Sequence, residues 1–243
     1  MDRVVNGLHY GVVVAGGYVG IYYTHAHEKP GPVEGVVGES LSYAWRILSK
    51  LDATLSTRAA AWGMVAAATT AWLDSGGRVE PGEELGIEGA RRVAMIGFIE
   101  PLAERLAGSG VEVVAFDRNP AARRWGCLGE RIRVLPDTYA QPMLEEGGFD
   151  AVIVSGSVLA HPGAAAAIAE AARSGGAGEI ILLGPSAGIH PWICARLGYT
   201  RVAGSYAPRE AREELVAMVE AGYGYRRMKR LLVKWSAPCK GFG

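Results

Sequence analysis

Four short polar loops are the parts of this sequence best suited to bind a ligand. Each follows an apolar segment with the composition of a buried strand. In open α/β sheets, ligands bind beyond the carboxyl ends of the parallel strands, near the point where the strand order reverses. The candidate ligand-binding residues in and after these loops are Gly97, Phe98, Glu100, Asp117, Asn119, Ser155, Gly156, Ser157, His161, Gly184, Pro185, Ser186 and His190.

The residue types in these loops favour a small, negatively charged or metal-bearing ligand. Residues 155–157 read Ser-Gly-Ser and offer hydroxyl and backbone N–H donors to an anion, although plain capping of the next helix explains them equally well. Pro185 stiffens the loop from which Ser186 faces the same crevice. Glu100 and Asp117 would supply negative charge.

Asp117 also raises the alternative of an enzyme that uses S-adenosylmethionine or a dinucleotide. It follows Gly97 by 20 positions (117 − 97), the interval at which an acidic residue binds a ribose hydroxyl. The turn is not a GxGxxG loop, because Phe98 and Glu100 replace the small residues that let a pyrophosphate approach. A capped turn at residues 117–120 is the simpler interpretation.

The histidines are weak candidates for metal ligands, and the positions of the lysines exclude one cofactor. His161, His190 and the pair His25 and His27 lie in predicted loops, where they are metal ligands or, more commonly, plain polar surface. Pyridoxal phosphate is excluded from the strand ends because no lysine lies between residues 97 and 186 to form its Schiff base. No convincing pair of nucleophile and base is present.

Composition describes an ordinary soluble protein, with 49% apolar and 21% charged residues. The 25 basic and 25 acidic residues balance, which argues against a nucleic-acid partner. The basic residues 226–230 are therefore predicted to form a solvated helix end or a homodimer contact. The apolar segment 59–73 is too short to span a membrane.

Three dispersed cysteines without a CxxC pair indicate a reducing, cytoplasmic location, and Cys194 is predicted to be a buried, inert thiol.

The elements that must position the loops fall into two groups. Residues 1–80 combine a β-hairpin at 8–23 with helices starting at 40 and 55, the second apolar on nearly all sides, and are predicted to form a small α+β domain. The acidic, glycine-rich residues 81–89 are predicted to be a linker. Residues 90–243 alternate short apolar strands with helices, which predicts a parallel sheet covered on both faces, in a Rossmann-like α/β domain.

Several segments of the second domain resemble a domain family that is associated with heavy-metal chelation and has a Rossmann-like fold. They are residues 182–191, which read Leu-Leu-Gly-Pro-Ser-Ala-Gly-Ile-His-Pro, and residues 96–101, 116–120, 154–159, 197–199 and 202–205. The resemblance implies that residues 1–80 are similar to the enolase N-terminal fold and that a cleft separates the two domains. It also implies that a divalent heavy metal or a metal-bearing or anionic small molecule binds in this cleft. The nucleotide-dependent enzyme, and a subunit or scaffold with a vestigial crevice, remain the alternatives.

Overall fold

A computed structural model describes residues 1–24, 33–50, 54–122, 130–161 and 163–240 of the chain. The first elements form a three-stranded antiparallel sheet and two helices. The strands are β1 (Arg3–Asn6), β2 (Tyr10–Ala15) and β3 (Tyr18–Tyr23), and the helices are α1 (Leu41–Leu48) and α2 (Leu55–Asp74). The predicted hairpin is confirmed as β2 and β3, whereas β1 is an additional strand that pairs with β2.

Both helices begin where a hydroxyl residue satisfies an N–H group of the first turn. The Ser40 Oγ accepts from the Tyr43 N–H at 3.3 Å, and the Thr54 Oγ1 accepts from the Thr57 N–H at 3.2 Å. Such caps replace the intrahelical partners that the first four N–H groups lack. The helices predicted to start near residues 40 and 55 are therefore confirmed.

The small sheet lies between two helices because its apolar residues point to both faces. Val13 and Tyr22 pack with α2 residues on one face. On the other face, valine and isoleucine side chains of β2 and β3 pack against a helix from the end of the chain, α7 (Arg212–Glu220). Contacts on both faces explain why the two strands are apolar almost without alternation.

The large sheet has eight strands in the order β4-β11-β10-β9-β8-β5-β6-β7. Strands β5 to β10 are parallel, and the last strand, β11, is antiparallel to both of its neighbours, β10 and β4. The bounds are β4 (Glu80–Pro81), β5 (Arg92–Ile96), β6 (Glu112–Phe116), β7 (Ile132–Leu135), β8 (Ala151–Ser155), β9 (Glu179–Leu183), β10 (Arg201–Tyr206) and β11 (Val233–Pro238).

Helices cover both faces of this sheet, which confirms the predicted α/β class. They are α3 (Glu100–Gly108) on one face and α4 (Ala140–Glu146), α5 (Ala164–Ser174) and α6 (Pro191–Arg196) on the other, whereas α7 and Met228 of α8 (Tyr225–Met228) pack against the small sheet. One core lies beneath α3, and a second lies beneath α4, α5 and α6. The predicted linker begins inside the sheet, since Glu80 and Pro81 pair with β11, and its Leu85 is buried in the α3 core. The predicted domain boundaries at 80 and 90 stay a prediction.

The prediction that Cys194 is a free thiol is wrong. Cys194 on α6 is fully buried as expected, but it forms a disulfide with Cys239, which follows β11. The two residues are 45 positions apart, and pairing of β11 with β10 brings them together. Within the described parts of the chain, no helix is long and apolar enough to cross a membrane. A reducing, cytoplasmic location stays a prediction.

Candidate functional site

The four polar loops meet at one edge of the large sheet, as the sequence predicts. Strands β9, β8, β5 and β6 are parallel neighbours, so their carboxyl ends lie side by side. The strand order reverses between β5 and β8, because the chain passes outward from β5 to β6 and β7 and outward on the other side from β8 to β9 and β10. This reversal is the position at which open α/β sheets bind ligands.

Gly97 and Ser155 lie on either side of the reversal. Gly97 has a φ of 85° and is so close to β8 that a Cβ atom there would lie 3.0 Å from the Ser155 Cβ. The absence of a side chain at Gly97 therefore leaves the Ser155 hydroxyl accessible from the β5 side. The Ser157 hydroxyl donates to the Ser155 Oγ at 3.2 Å, so this pair of hydroxyls bond to each other instead of capping a helix.

Asp117 closes the turn after β5 through two backbone hydrogen bonds. Its Oδ2 accepts from the Phe98 N–H and its Oδ1 accepts from the Asn119 N–H, both at 2.7 Å. The Asn119 Oδ1 accepts in turn from the Ala121 N–H at 3.0 Å. Each carboxylate oxygen thus has a structural partner, which favours the capped turn over a ribose-binding role.

Replacing Asp117 with Asn is expected to destabilise this turn, because the amide keeps only one acceptor oxygen for two N–H groups. A lost hydrogen bond to a charged group contributes about 1.5–3 kcal/mol, and partial exposure reduces the expected loss to about 1–2 kcal/mol. Guanidinium denaturation measures it. The matched control is Asp137→Asn, which removes an exposed ion pair with Arg118 and should change stability by less than about 1 kcal/mol. Equal losses in the two variants would contradict the turn-closing role.

Two short 3-10 turns form the sheet side of the site. One, the 156 turn, spans Gly156–Ala160 after β8, and the other, the 185 turn, spans Pro185–Ala187 after β9. They touch at Gly156, where a Cβ atom would lie 2.5 Å from the Ala187 backbone nitrogen and 2.8 Å from the Ser186 Oγ. Gly156 is therefore needed for the two turns to pack together.

Helix α2 and strand β3 face these turns across a narrow recess. The Arg58 Nε donates to the Ala160 carbonyl oxygen at 3.0 Å, which ties the start of α2 to the end of the 156 turn. The recess encloses about 180 Å³ of empty space, part of it open to solvent. Its lining residues are Tyr22, Tyr23, Ala59, Trp62, Gly156, Ser157, Leu159, Ala160 and Ser186.

Ser186 is the most informative residue of the recess. The residue is only 8% exposed, and among the residues that the structure describes no group forms a hydrogen bond with its hydroxyl. Its Oγ is not one of the fully buried side-chain atoms that lack a partner, so it keeps some contact with solvent in the recess. The Ser186 hydroxyl can therefore donate to a ligand atom that enters the recess.

The remaining predicted site residues lie near the sheet edge but outside the recess. Glu100 begins α3, His161 follows the 156 turn, and Gly184 precedes the 185 turn with a φ of 117°. His190 caps α6, and its Nδ1 accepts from the Trp192 N–H at 3.1 Å. Desolvation by burial lowers the pKa of His190. Its ring packs edge to face with the Trp72 ring, with centroids 4.4 Å apart.

Sequence reasoning missed the residues that α2 and β3 contribute to the recess, notably Tyr22, Tyr23 and Trp62. The all-round apolar character of residues 55–73 was the available signal, since a helix buried on every side must contact a second layer. It could not tell which residues would face the strand ends. His25 and His27 lie outside the described residues, and within the described ranges no three histidine, cysteine, aspartate or glutamate side chains are grouped to hold a metal ion.

The fold and the strand-end site define a two-sheet α/β protein with its candidate ligand site at the reversal of strand order. Residues 81–237 match the model of the family DUF364, described as "Putative heavy-metal chelation". The match covers more than half of the 243 residues, so the chain belongs to this family. The predicted resemblance is therefore confirmed for the large sheet, and the likeness of residues 1–80 to the enolase N-terminal fold stays a prediction.

Two solved structures of the same family have this fold over almost the whole chain. A DUF364 protein of unknown function from Pyrococcus horikoshii is 20% identical, with a TM-score of 0.76, covering 97% of this chain and 91% of that one. A DUF364 protein of unknown function from Desulfitobacterium hafniense DCB-2 is 16% identical, with a TM-score of 0.77, covering 98% and 90%. At these identities the likeness concerns the fold alone. No curated protein matches the chain in sequence.

Proposed function

We propose that the protein binds an anionic small molecule, able to carry a heavy-metal ion, in the recess between α2 and the two strand-end turns. The observation that supports this proposal most directly is the Ser186 hydroxyl, which lines the recess and lacks a hydrogen-bond partner among the described residues. Ser157 lines the same recess, but its hydroxyl donates to the Ser155 Oγ. The Ser186 hydroxyl as a donor suits a carboxylate or phosphate oxygen, so the metal would be held by the bound molecule.

The size of the recess favours a small ligand over the nucleotide-type alternative. Sites for drug-sized molecules enclose roughly 300–1,000 Å³. The cavity volume of the recess is only about 10 Å³, room for roughly one water-sized group, so it takes a ligand oxygen and cannot enclose S-adenosylmethionine or a dinucleotide. The two backbone bonds of Asp117 also account for that carboxylate without a ribose.

Thermal denaturation with a panel of probes tests the proposal. The panel contains citrate, nitrilotriacetate and salicylate, each alone and with Ni²⁺, together with Ni²⁺ alone. A ligand at 100 times its Kd stabilises the folded state by about 2.7 kcal/mol, which corresponds to a rise in Tm of roughly 5–10 °C. We expect at least one anionic probe to give such a rise and Ni²⁺ alone to give none. A rise with Ni²⁺ alone would replace the proposal with a bare-ion site.

The variant Ser186→Ala separates ligand binding from stability. Removing a hydroxyl that has no partner among the described residues should leave the Tm of the free protein nearly unchanged, while the loss of a donor to a charged ligand should weaken probe binding about tenfold or more. The matched control is Ser174→Ala, at the exposed end of α5 and the opposite edge of the sheet, which should change neither quantity. Unaltered probe affinity in Ser186→Ala would exclude the recess as the binding site.

A further inference from the structure

Positive charge is concentrated near the end of this chain, although the charges of the whole protein balance. Residues 225–234 include five basic residues and no acidic residue. Met228 of α8 is fully buried in the core on the α7 face of the small sheet. The basic residues on either side of this anchor are exposed to solvent, and they are Arg226, Arg227, Lys229 and Arg230.

The acidic residues of the neighbouring helix α7 do not neutralise most of this charge. Each of them is engaged by an arginine, in the pairs Glu213 with Arg212, Glu214 with Arg230, and Glu220 with Arg3. Arg226, Arg227 and Lys229 form no ion pair with any residue that the structure describes. These three cations are therefore available to an anionic partner.

Exposed apolar side chains lie beside the three cations. Leu8, in the turn between β1 and β2, is 57% exposed, and a Cβ atom built at Gly222 would lie 3.5 Å from the Leu8 Cβ. Tyr223 follows Gly222 and is 37% exposed, and the Arg227 guanidinium carbon lies 4.6 Å from the centre of its ring. We name this surface the basic tip, and its residues are Leu8, Tyr223, Arg226, Arg227 and Lys229.

We propose that the basic tip docks on the surface of an anionic phospholipid bilayer. Leu8 and Tyr223 enter the boundary between headgroups and acyl chains, and the three unpaired cations bind the headgroup phosphates. Proteins that lie on a bilayer without crossing it combine exposed apolar side chains with lysine and arginine in this way. Tyrosine suits the boundary because its ring is apolar and its hydroxyl stays in water.

Leu8 distinguishes a bilayer from a nucleic acid as the partner. Single-stranded nucleic acids are bound by cations together with aromatic rings on which the bases stack. An aliphatic side chain at a turn has no flat face for stacking and no group that pairs with a phosphate, but it gains free energy by moving from water among acyl chains. The basic tip lies on the α7 side of the small sheet and the recess on the α2 side, so this inference is independent of the proposed function.

Co-sedimentation with vesicles tests the inference. One set of vesicles is phosphatidylcholine alone, and the other is an equal mixture of phosphatidylcholine and phosphatidylglycerol. We expect the wild-type protein to bind only the anionic vesicles, and more weakly as the NaCl concentration is raised, because salt screens the attraction between exposed charges.

Removing the three cations together should weaken binding to the anionic vesicles about a hundredfold, since each basic residue near an anionic surface contributes roughly fivefold. This variant is Arg226→Gln, Arg227→Gln and Lys229→Gln. The matched control removes the same charge from exposed residues outside the basic tip and should change binding far less; it is Lys50→Gln, Arg78→Gln and Lys240→Gln.

A single substitution tests the apolar contact. Leu8→Ser should weaken binding to the anionic vesicles about fivefold or more, because serine does not gain from leaving water as leucine does. The matched control is Tyr139→Ser, at a residue that is also 57% exposed but lies beside β7, and it should leave binding unchanged. All these residues are exposed, so each variant should keep the Tm of the wild type.

Three results would overturn the inference. The first is no binding of the wild-type protein to either kind of vesicle. The second is binding to anionic vesicles that the two triple variants retain equally, which would place the contact elsewhere on the protein. The third is binding to single-stranded RNA in place of vesicles, measured by fluorescence anisotropy, which the basic-tip triple variant loses and Leu8→Ser keeps.

Discussion

Reduction of the Cys194–Cys239 disulfide is expected to lower the free energy of unfolding by about 4 kcal/mol at 25 °C. The disulfide closes a loop of 45 residues, and in the chain-entropy model a closed loop of this length restricts the unfolded chain by that amount. The loop contains the end of α6, then β10, α7, α8 and β11, so its closure joins the end of β11 to α6, the helix that His190 caps. Guanidinium denaturation with and without a reductant measures the difference.

The double variant Cys194→Ala and Cys239→Ala provides the control, because a reductant should no longer change its stability. A thiol assay of the denatured, unreduced protein should find one free thiol per chain, since two of the three cysteines are paired. Three free thiols in protein purified without reductant would contradict the disulfide and restore the predicted free Cys194.

Replacing Gly20 with Ala is expected to destabilise the protein by about 3 kcal/mol, the upper end of the usual range for overpacking a core. Gly20 of β3 faces α2 so closely that a Cβ atom would collide with the Gly63 carbonyl oxygen and the Ala67 nitrogen and would lie 2.9 Å from the Ala66 carbonyl carbon. All three atoms belong to the helix backbone, which cannot turn aside as a side chain can. The whole of α2 must therefore move away from the sheet.

The same displacement is expected to weaken ligand binding, because α2 carries Ala59 and Trp62 on the wall of the recess. Thermal denaturation with the best probe of the panel measures both effects. The matched control is Gly108→Ala at the end of α3, where a Cβ atom meets no other atom within 4 Å and the helix should be stabilised by about 0.5 kcal/mol. A Gly20→Ala protein with wild-type stability would show that the sheet and α2 are not in close contact.

Much of the fold is predictable from local pattern alone. The strands at 92–96, 132–135 and 179–183 have the predicted limits. Strands 92–96 and 179–183 lie inside the sheet and are nearly continuous apolar segments, whereas the outermost strand, 132–135, is interrupted by the exposed Arg133. The strand β11 was missed because Val233–Pro238 mixes lysine and serine with apolar residues and ends in proline, as suits the antiparallel part of a sheet. The two-residue strand β4 has no sequence pattern at all.

The candidate site and its surroundings also have some features that are predictable from the sequence and others that are not. Ser157, Gly156 and Ser186 could be identified from sequence because each follows a buried parallel strand, and the ends of such strands share one edge of the sheet. The partner of Cys194 could not be identified, because Cys239 reaches it only through the pairing of β11 with β10.

The sequence by itself determined the alternation of strands and helices, the starts of the helices near residues 40 and 55, and the polar residues at the strand ends, since all of these depend on residues close together in the chain. Only the tertiary structure decided which side chains of α2 and β3 complete the recess. That choice depends on the close contact between Gly20 and the backbone of α2 and on the bond from Arg58 to Ala160. Arg58 and Ala160 are 102 positions apart, so no local pattern records their contact.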